Sequence, residues 1–343
     1  MLMELQIVKE DPLLYDVDLP FRGLYHPLGF SVEIVTNSRS VLEAAQESWG
    51  HFRKVFFEPP VQLRIGVLEG DSKECPPVPT CRAWQHLLSN IADAQNFSVC
   101  DMRRGLAFVW LTQAAVENRG YLRYHFLEAA AWSLLTPLYL TPIHGACVRL
   151  GERGVLLCGD SGAGKSSLAY ACARRGWTFL SDDSSHLVRK RHGRLVVGNP
   201  HQMRFRQSAI DIFPEFKDQR LTLRATGELA IELQTARLPE IQTTLECSVD
   251  FIVFLNRKQA DSPGFWDFPK DEALLWFEQT ICYGERELRE SQKASLRNLM
   301  SAEVYELRYG NLDLAVTMLD ALVRDKAPEP RAFCAESNGL GHA

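Results

Sequence analysis

No C-x-x-C pair occurs among the nine cysteines of this 343-residue chain, Cys75 and Cys81 being the closest two. An odd set of thiols without that spacing fits a reducing compartment better than a disulfide framework, so a cytoplasmic location is expected. Net positive charge is also missing: 38 Lys and Arg against 43 Asp and Glu leave −5, which provides no global field for a nucleic acid backbone. Internal repeats and low-complexity tracts are absent. Met1 to Asp11 carries Glu4, Lys9, Glu10 and Asp11 in place of the apolar core of a signal peptide, so export is not expected. The longest stretch without a charged residue, Ala129 to Val148, is interrupted by Pro137 and Pro142 and contains Ser133, Thr136, Thr141, His144 and Gly145. It reads as a buried helix followed by a buried strand, and no membrane span is expected.

What is present is an ordinary globular mixture, 46% hydrophobic and 24% charged. At roughly 150 residues per domain the length suggests about two domains. Residues 1–125 read as a smaller α+β module of unassigned role. Phe30 to Thr36 and Val61 to Leu68 are strand-like, Ser40 to Phe52 is helical with Asn37 or Ser38 as cap, and Phe97 to Asp101 with Leu106 to Thr112 forms a hairpin around Arg103, Arg104 and Gly105. Residues 126–324 read as an α/β catalytic domain. A helix over Tyr121 to Leu135 leads into the strands Ile143 to Leu150 and Gly154 to Cys158. A glycine-rich turn, a helix over Ser166 to Arg175 closed by Gly176, and the buried strand Trp177 to Ser181 follow. This is the order of a βαβ unit in a sheet covered on both faces. Further strands are expected at Leu195 to Val197, Ile231 to Leu233, Val249 to Leu255 and Val304 to Arg308. Helices are expected over Lys270 to Cys282, Glu285 to Met300 and Leu312 to Val323, with 325–343 a loose tail.

The segment that decides the chemistry is Gly159, Asp160, Ser161, Gly162, Ala163, Gly164, Lys165, Ser166, which fits G-x4-G-K-[ST] without a mismatch. A triphosphate can be surrounded only if backbone N–H groups point inward without side-chain obstruction, and glycines permit that approach. The following helix N-terminus adds favourable potential. Lys165 would reach the β- and γ-phosphates and the Ser166 hydroxyl would ligate Mg²⁺. Asp182 and Asp183 stand directly after the strand Trp177 to Ser181. At a strand's carboxyl end they would face the same crevice, one acid holding Mg²⁺ and the other accepting a proton. The alternative is a helix cap or turn, since Asp followed by Ser184 and Ser185 caps well.

His144 to Asp183 (HGACVRLGERGVLLCGDSGAGKSSLAYACARRGWTFLSDD) resembles the catalytic domain of bacterial HPr kinase/phosphorylase. A His-Gly strand, a second strand, the G-D-S-G-x-G-K-S loop, a helix ending Arg-Arg-Gly and a strand ending Asp-Asp follow in the family's order. About forty residues are strongly similar, and beyond them the likeness is weak. The resemblance implies a P-loop kinase that phosphorylates a serine hydroxyl, with a fold related to ATP-dependent phosphoenolpyruvate carboxykinase. It makes Lys165 the phosphate-binding lysine, Ser166 a Mg²⁺ ligand, Asp182 the general base and Asp183 a direct or water-mediated metal ligand, and it places His144 near the transferred phosphoryl. It also allows a homo-oligomer, since relatives are often oligomeric.

The sequence departs from the family where Ser167 stands in place of a glutamate after G-K-S. GNPHQMRFRQSAIDIFPEF (Gly198 to Phe216) stands where an Arg-Gly-Leu-Gly signature is expected. In this the chain is more similar to HPr-kinase-related proteins, some beside peptide-modification clusters, with a peptide or small-molecule serine as acceptor. The expectation is therefore an ATP- and Mg²⁺-dependent kinase acting on a hydroxyl, with a serine-bearing protein, peptide or small molecule as partner. The alternatives are a nucleotide-binding regulatory module and a carboxykinase-like enzyme. Arg204 and Arg206, on alternate positions, share a face if the insert is extended and would meet phosphate or an acidic substrate, or else form a solvated edge. Arg174-Arg175 and Arg189-Lys190-Arg191 are basic clusters with the same two readings.

Overall fold

Apolar residues alternate with polar ones along Val61–Leu68, so that Val61, Leu63 and Ile65 are buried while Gln62 is exposed, the pattern of a strand with one covered face. The computed structural model of the protein describes residues 17–68, 73–189, 193–219, 221–223, 229–259, 261–281 and 284–324. They form a mixed α/β structure of two units. One runs to Tyr139 and takes in 284–288, and the other holds the remaining described residues from Leu140. The expected tail at 325–343, and Lys190 and Arg191 of one basic cluster, lie outside the described residues.

In the first unit the strands are β1 (Phe21–Tyr25), β2 (Val32–Thr36), β3 (Val61–Leu68), β4 (Thr80–Trp84), β5 (Leu87–Ile91), β6 (Phe97–Asp101) and β7 (Leu106–Thr112). Their order is β1-β2-β3-β7-β6-β5-β4, with β2, β3 and β7 parallel to one another and the outer pairs antiparallel. The β6–β7 hairpin forms as expected, its turn held by Arg103 and Arg104 amides donating to Asp101 Oδ1 at 3.0 Å each. Helix α1 (Arg39–Trp49) buries Val41, Ala44, Ala45 and Trp49. Its cap position falls on one of the two expected residues. Ser38 occupies the cap position without a side-chain bond, and Asn37 instead brackets the Val67 backbone, donating to its carbonyl at 2.9 Å and accepting from its amide at 2.8 Å. Strands β1, β4 and β5 go beyond the expected set; β4 is exposed throughout and carries no apolar alternation. Short helices α2 (Gln113–Glu117) and α3 (Arg119–Tyr121) lead through a π-helical segment, Leu122–Glu128, into α4 (Ala129–Tyr139). The helix therefore runs beyond the expected Leu135, and through Pro137. Burial of Leu134, Leu135 and Tyr139 offsets the one backbone bond that proline removes.

The second unit contains β8 (Leu140–His144), β9 (Ala146–Leu150), β10 (Arg153–Cys158), α5 (Lys165–Arg174), β11 (Thr178–Ser181), β12 (Ser184–Val188), β13 (Leu195–Gly198), β14 (Gln202–Arg206), β15 (Leu221–Leu223), β16 (Leu229–Gln234), β17 (Glu246–Asn256), β18 (Gly264–Asp267), α6 (Lys270–Glu278), α7 (Arg286–Leu299) from Arg289 onward, β19 (Glu303–Arg308) and α8 (Leu312–Val323). The single strand expected over Ile143 to Leu150 is two strands broken at Gly145. β8 pairs with β12, whereas β9 pairs with β10 and β11. The βαβ order is present, but β9 lies between β10 and β11 and is antiparallel to both, so the parallel ladder is instead β10–β17–β19. Both faces are covered. Val155 and Leu157 join a core with Leu168, Trp177 and Leu319, while Leu156 and Cys158 point into another with Cys147, Val249, Phe277 and Leu296. The β14–β16–β15 sheet packs through Met203 and Phe205 on Tyr170, Phe213 and Phe216. The stretch without charge is α4, β8 and the start of β9, and no helix of the described residues is long and apolar enough to cross a membrane.

Candidate active site

The glycine-rich loop joins the end of β10 to the start of α5 within this second unit. Gly159, Gly162 and Gly164 have φ of 138°, 86° and 99°, backbone conformations that side chains disfavour. At Gly164 space decides as well, since an added Cβ would lie 2.8 Å from the Tyr309 hydroxyl. Lys165, only 5% exposed, folds back over the loop and donates from Nζ to the carbonyls of Gly159 at 2.7 Å and Asp160 at 3.1 Å. Burial lowers its pKa, against the opposing pull of Asp183 and Asp160. Tyr309, buried just after β19, donates to the Ala163 carbonyl at 3.3 Å, and burial pushes its phenol up to about 12, keeping it a neutral donor.

Asp182 and Asp183 occupy a corner where the chain crosses between two parts of the sheet. β11 ends on β9 and β12 begins on β8, just as β8 and β9 divide at Gly145. The register sets Ser184 opposite His144, which brings His144 Nδ1 to 3.4 Å from Asp183 Oδ1. A buried hydroxyl pair fastens the corner: Ser185 Oγ donates to the Gly145 carbonyl at 2.9 Å and lies 2.6 Å from Ser181 Oγ. The Ser166 hydroxyl donates to the Asp182 carbonyl at 3.2 Å and so joins helix α5 to the corner. Asp182 Oδ2 accepts from the Arg204 amide at 2.5 Å. Desolvation raises this carboxyl to about 6, the Asp183 charge adding to the rise and the Arg204 amide opposing it. Desolvation lowers the His144 pKa, with Asp183 pulling the other way, so the ring is largely neutral at pH 7.

The structure thus brings Lys165, Ser166, Asp182, Asp183 and His144 into one locality. Asp160, Ser161, Gly162, Ala163 and Gly164 form the loop, and Ser167 follows on the first turn of α5. Of the two arginines of the insert, Arg204 is paired with Glu232 at 3.1 Å and Arg206 donates to Ser161 Oγ at 2.9 Å. In the basic clusters, Arg174 pairs with Glu215, Arg175 with Asp313, and Arg189 donates to the Leu140 carbonyl. Tyr309 and Arg257, whose Cδ lies 3.5 Å from where a Gly164 Cβ would be, were not foreseen. The signal was available: each directly follows a strand parallel to β10, and residues just past such strand ends share its crevice.

Comparison with known proteins bears on the same residues. The model of the HPr Serine kinase C-terminal domain matches residues 139–213, from the end of α4 through β14. Over this region the chain is HPr-kinase-like. The HPr kinase/phosphorylase of Halalkalibacterium halodurans is 40% identical over 76 residues, 22% of this chain and 23% of that protein. That of Lactobacillus acidophilus is 34% identical over 96 residues, 26% of this chain and 30% of the relative. The chain therefore spans about a quarter of the length of these curated relatives. The HPr(Ser) kinase/phosphatase of Coxiella burnetii superposes on 54% of this chain and 94% of its own at 13% identity, with a TM-score of 0.30. The HPr-kinase-like region is longer than the forty strongly similar residues, His144 to Asp183. It takes in the insert as far as Phe213 and hence the two arginines of β14.

Proposed function

We propose that the HPr-kinase-like region is the catalytic centre of a P-loop kinase that moves the γ-phosphoryl group of ATP to a hydroxyl, with a serine of a protein, peptide or small molecule as acceptor. The observation that carries this reading is the juxtaposition of the loop with a carboxyl of raised pKa: Ser166 Oγ is bonded to the Asp182 main chain, and the Asp182 side chain is held by the Arg204 amide. A carboxylate titrating near 6 is ionised at neutral pH yet more basic than an exposed one, which suits a group that takes a proton from a hydroxyl. The loop amides and the Lys165 ammonium would hold the phosphates, and Lys165 would exchange its bonds to the Gly159 and Asp160 carbonyls for phosphate oxygens. His144, neutral and near Asp183, would orient that carboxylate.

The donor set also fits Mg²⁺. A hard cation bound with a nucleotide asks for one or two oxygen ligands from the protein, and the Ser166 hydroxyl and the Asp183 carboxylate are of that kind. The described residues hold no cluster of three or more His, Cys, Asp or Glu that would bind a metal without the nucleotide. The ion would neutralise charge on the phosphates. Relatives named HPr kinase/phosphorylase support a kinase of that type.

The test uses the full chain with γ-labelled ATP and Mg²⁺ against serine-bearing acceptors, HPr and serine peptides first. Asp182→Asn should keep nucleotide affinity within about twofold and lower transfer by at least about 10²-fold, the scale of a lost general base. Undiminished transfer in that variant removes Asp182 from its role. Nucleotide binding with no labelled product from any acceptor would favour the regulatory module instead.

A further inference from the structure

Two arginines of one strand, on one face, are used differently. β14 is pinned by Met203 and Phe205, 0% and 4% exposed, so the alternate residues Gln202, Arg204 and Arg206 share the opposite face. The ladder with β16 sets Glu232 across from Arg204 and Ala230 across from Arg206. Arg204 is thereby neutralised by Glu232, through Nε to Oε1 at 3.1 Å, and its Nη2 also donates to Gln202 Oε1 at 3.2 Å. Arg206 makes no ion pair with a carboxylate among the described residues and extends over the glycine-rich loop. Its Nη2 donates to Ser161 Oγ at 2.9 Å, and its Nη1 stands 3.7 Å from where a Gly162 Cβ would lie.

The same strand holds the candidate base two residues earlier, through the Arg204 amide on Asp182 Oδ2. Two residues of extended chain span about 7 Å, so β14 reaches from the carboxyl that would receive the proton to the Ser161–Gly162 stretch of the loop. A phosphoryl group held by the loop and an acceptor hydroxyl beside Asp182 would both stand next to this strand. We propose, on the basis of the kinase reading, that Arg206 is a further catalytic residue, a cis-acting arginine that binds the oxygens of the terminal phosphoryl group during its transfer. In the step, the bond from the γ-phosphorus to the β,γ-bridging oxygen breaks and its electron pair stays on ADP. The acceptor oxygen bonds to phosphorus, and its proton passes to Asp182. Arg206 gives up no proton, and its planar fork of five N–H donors supplies hydrogen bonds to equatorial oxygens. One edge of the fork, at Nη2, meets Ser161 Oγ, and Nη1 stands beside Gly162.

The proposal separates affinity for the terminal phosphate from affinity for the rest of the nucleotide. Calorimetric titration of the full chain with Mg²⁺-ADP and with the Mg²⁺ complex of the imido analogue of ATP should give wild-type protein a preference for the analogue. In Arg206→Ala and in the longer, uncharged Arg206→Gln that preference should fall about tenfold, with ADP affinity within about twofold and an unchanged melting temperature. Variants that keep the wild-type ratio, or that lose ADP and analogue equally, overturn it, as does a wild-type protein with no preference. A wild-type protein that binds neither nucleotide overturns the kinase reading itself, and this proposal with it.

Discussion

Each unit has a parallel strand that runs through a short connection into a helix, β2 into α1 and β10 into α5, and the two connections are built from opposite chemistry. After β2 a side chain closes the turn: the Asn37 amide satisfies both the carbonyl and the amide of Val67, and the Ser38 amide donates to Thr36 Oγ1 at 3.2 Å. After β10 glycines of positive φ carry the chain, and the cation at the helix start lies over the loop's own carbonyls. A parallel strand and a helix N-terminus are common to both. What singles out the second passage is a loop carried by positive-φ glycines, facing acids that another strand pair delivers to the same edge.

The largest effect expected from this contrast is at Lys165. Lys165→Ala removes the one buried ammonium of the loop and should weaken ATP by about 10²-fold or more and abolish transfer, on the scale of a lost buried charge contact to phosphate. Asn37→Ala, at the matching place in the first unit, leaves two Val67 backbone groups unpaired and should cost about 1–3 kcal/mol in stability with ATP affinity unchanged. Calorimetry and thermal melts on the two variants measure both. Equal losses of ATP affinity would break the contrast.

How far the second passage can be read from sequence follows from its locality. Gly159 to Ser166 are contiguous, and their spacing alone indicates a strand, a loop and a helix. Asp182 and Asp183 are legible as a strand end. The break at Gly145 is not, because nothing in IHGAC marks where one run of β structure changes partners; long-range pairing decides it, β8 with β12 and β9 with β10 and β11. The sharing of labour between Arg204 and Arg206 depends on which β16 residue stands across from each, a register that the arginines themselves do not encode. Strand β4 was missed because it is exposed on both faces and lacks the apolar period that identifies strands.

A second, smaller effect separates the acid corner from ordinary surface carboxylates by its response to pH. The Asp182 pKa in the folded chain, about 6, lies above its ordinary value near 3.8. The folded state therefore binds this proton more tightly than the unfolded state, so the stabilisation is complete below about pH 4 and is lost as pH rises through about 6. Wild-type protein should lose on the order of 1–3 kcal/mol relative to Asp182→Asn between pH 4.5 and 8, read from thermal melts of the pair. Transfer should rise over the same interval, because the base must be ionised to act. Stability and activity would then run in opposite directions through one group, and parallel pH curves for the two proteins would show that Asp182 is not the group that titrates.

The smallest effect tests whether the corner is held as firmly as Asn37 holds its own turn. Ser185 Oγ ties β12 to the Gly145 carbonyl and meets Ser181 Oγ, both serines being nearly inaccessible to solvent. Ser185→Ala leaves that carbonyl and the Ser181 hydroxyl short of a partner and should cost about 1–2 kcal/mol. The carbonyl lies between His144 and the start of β9, so loosening it shifts the register that sets His144 beside Asp183, while the loop keeps its contacts through Tyr309. Transfer should accordingly fall several-fold with ATP affinity intact, a division that kinetic and binding titrations of the same variant can resolve. Ser185→Thr restores the hydroxyl and should recover part of the rate if that bond is the cause. A matched fall in ATP affinity would instead mean that loop and corner are one rigid piece, and that what distinguishes the second passage from the first lies in the whole sheet edge rather than in its glycines.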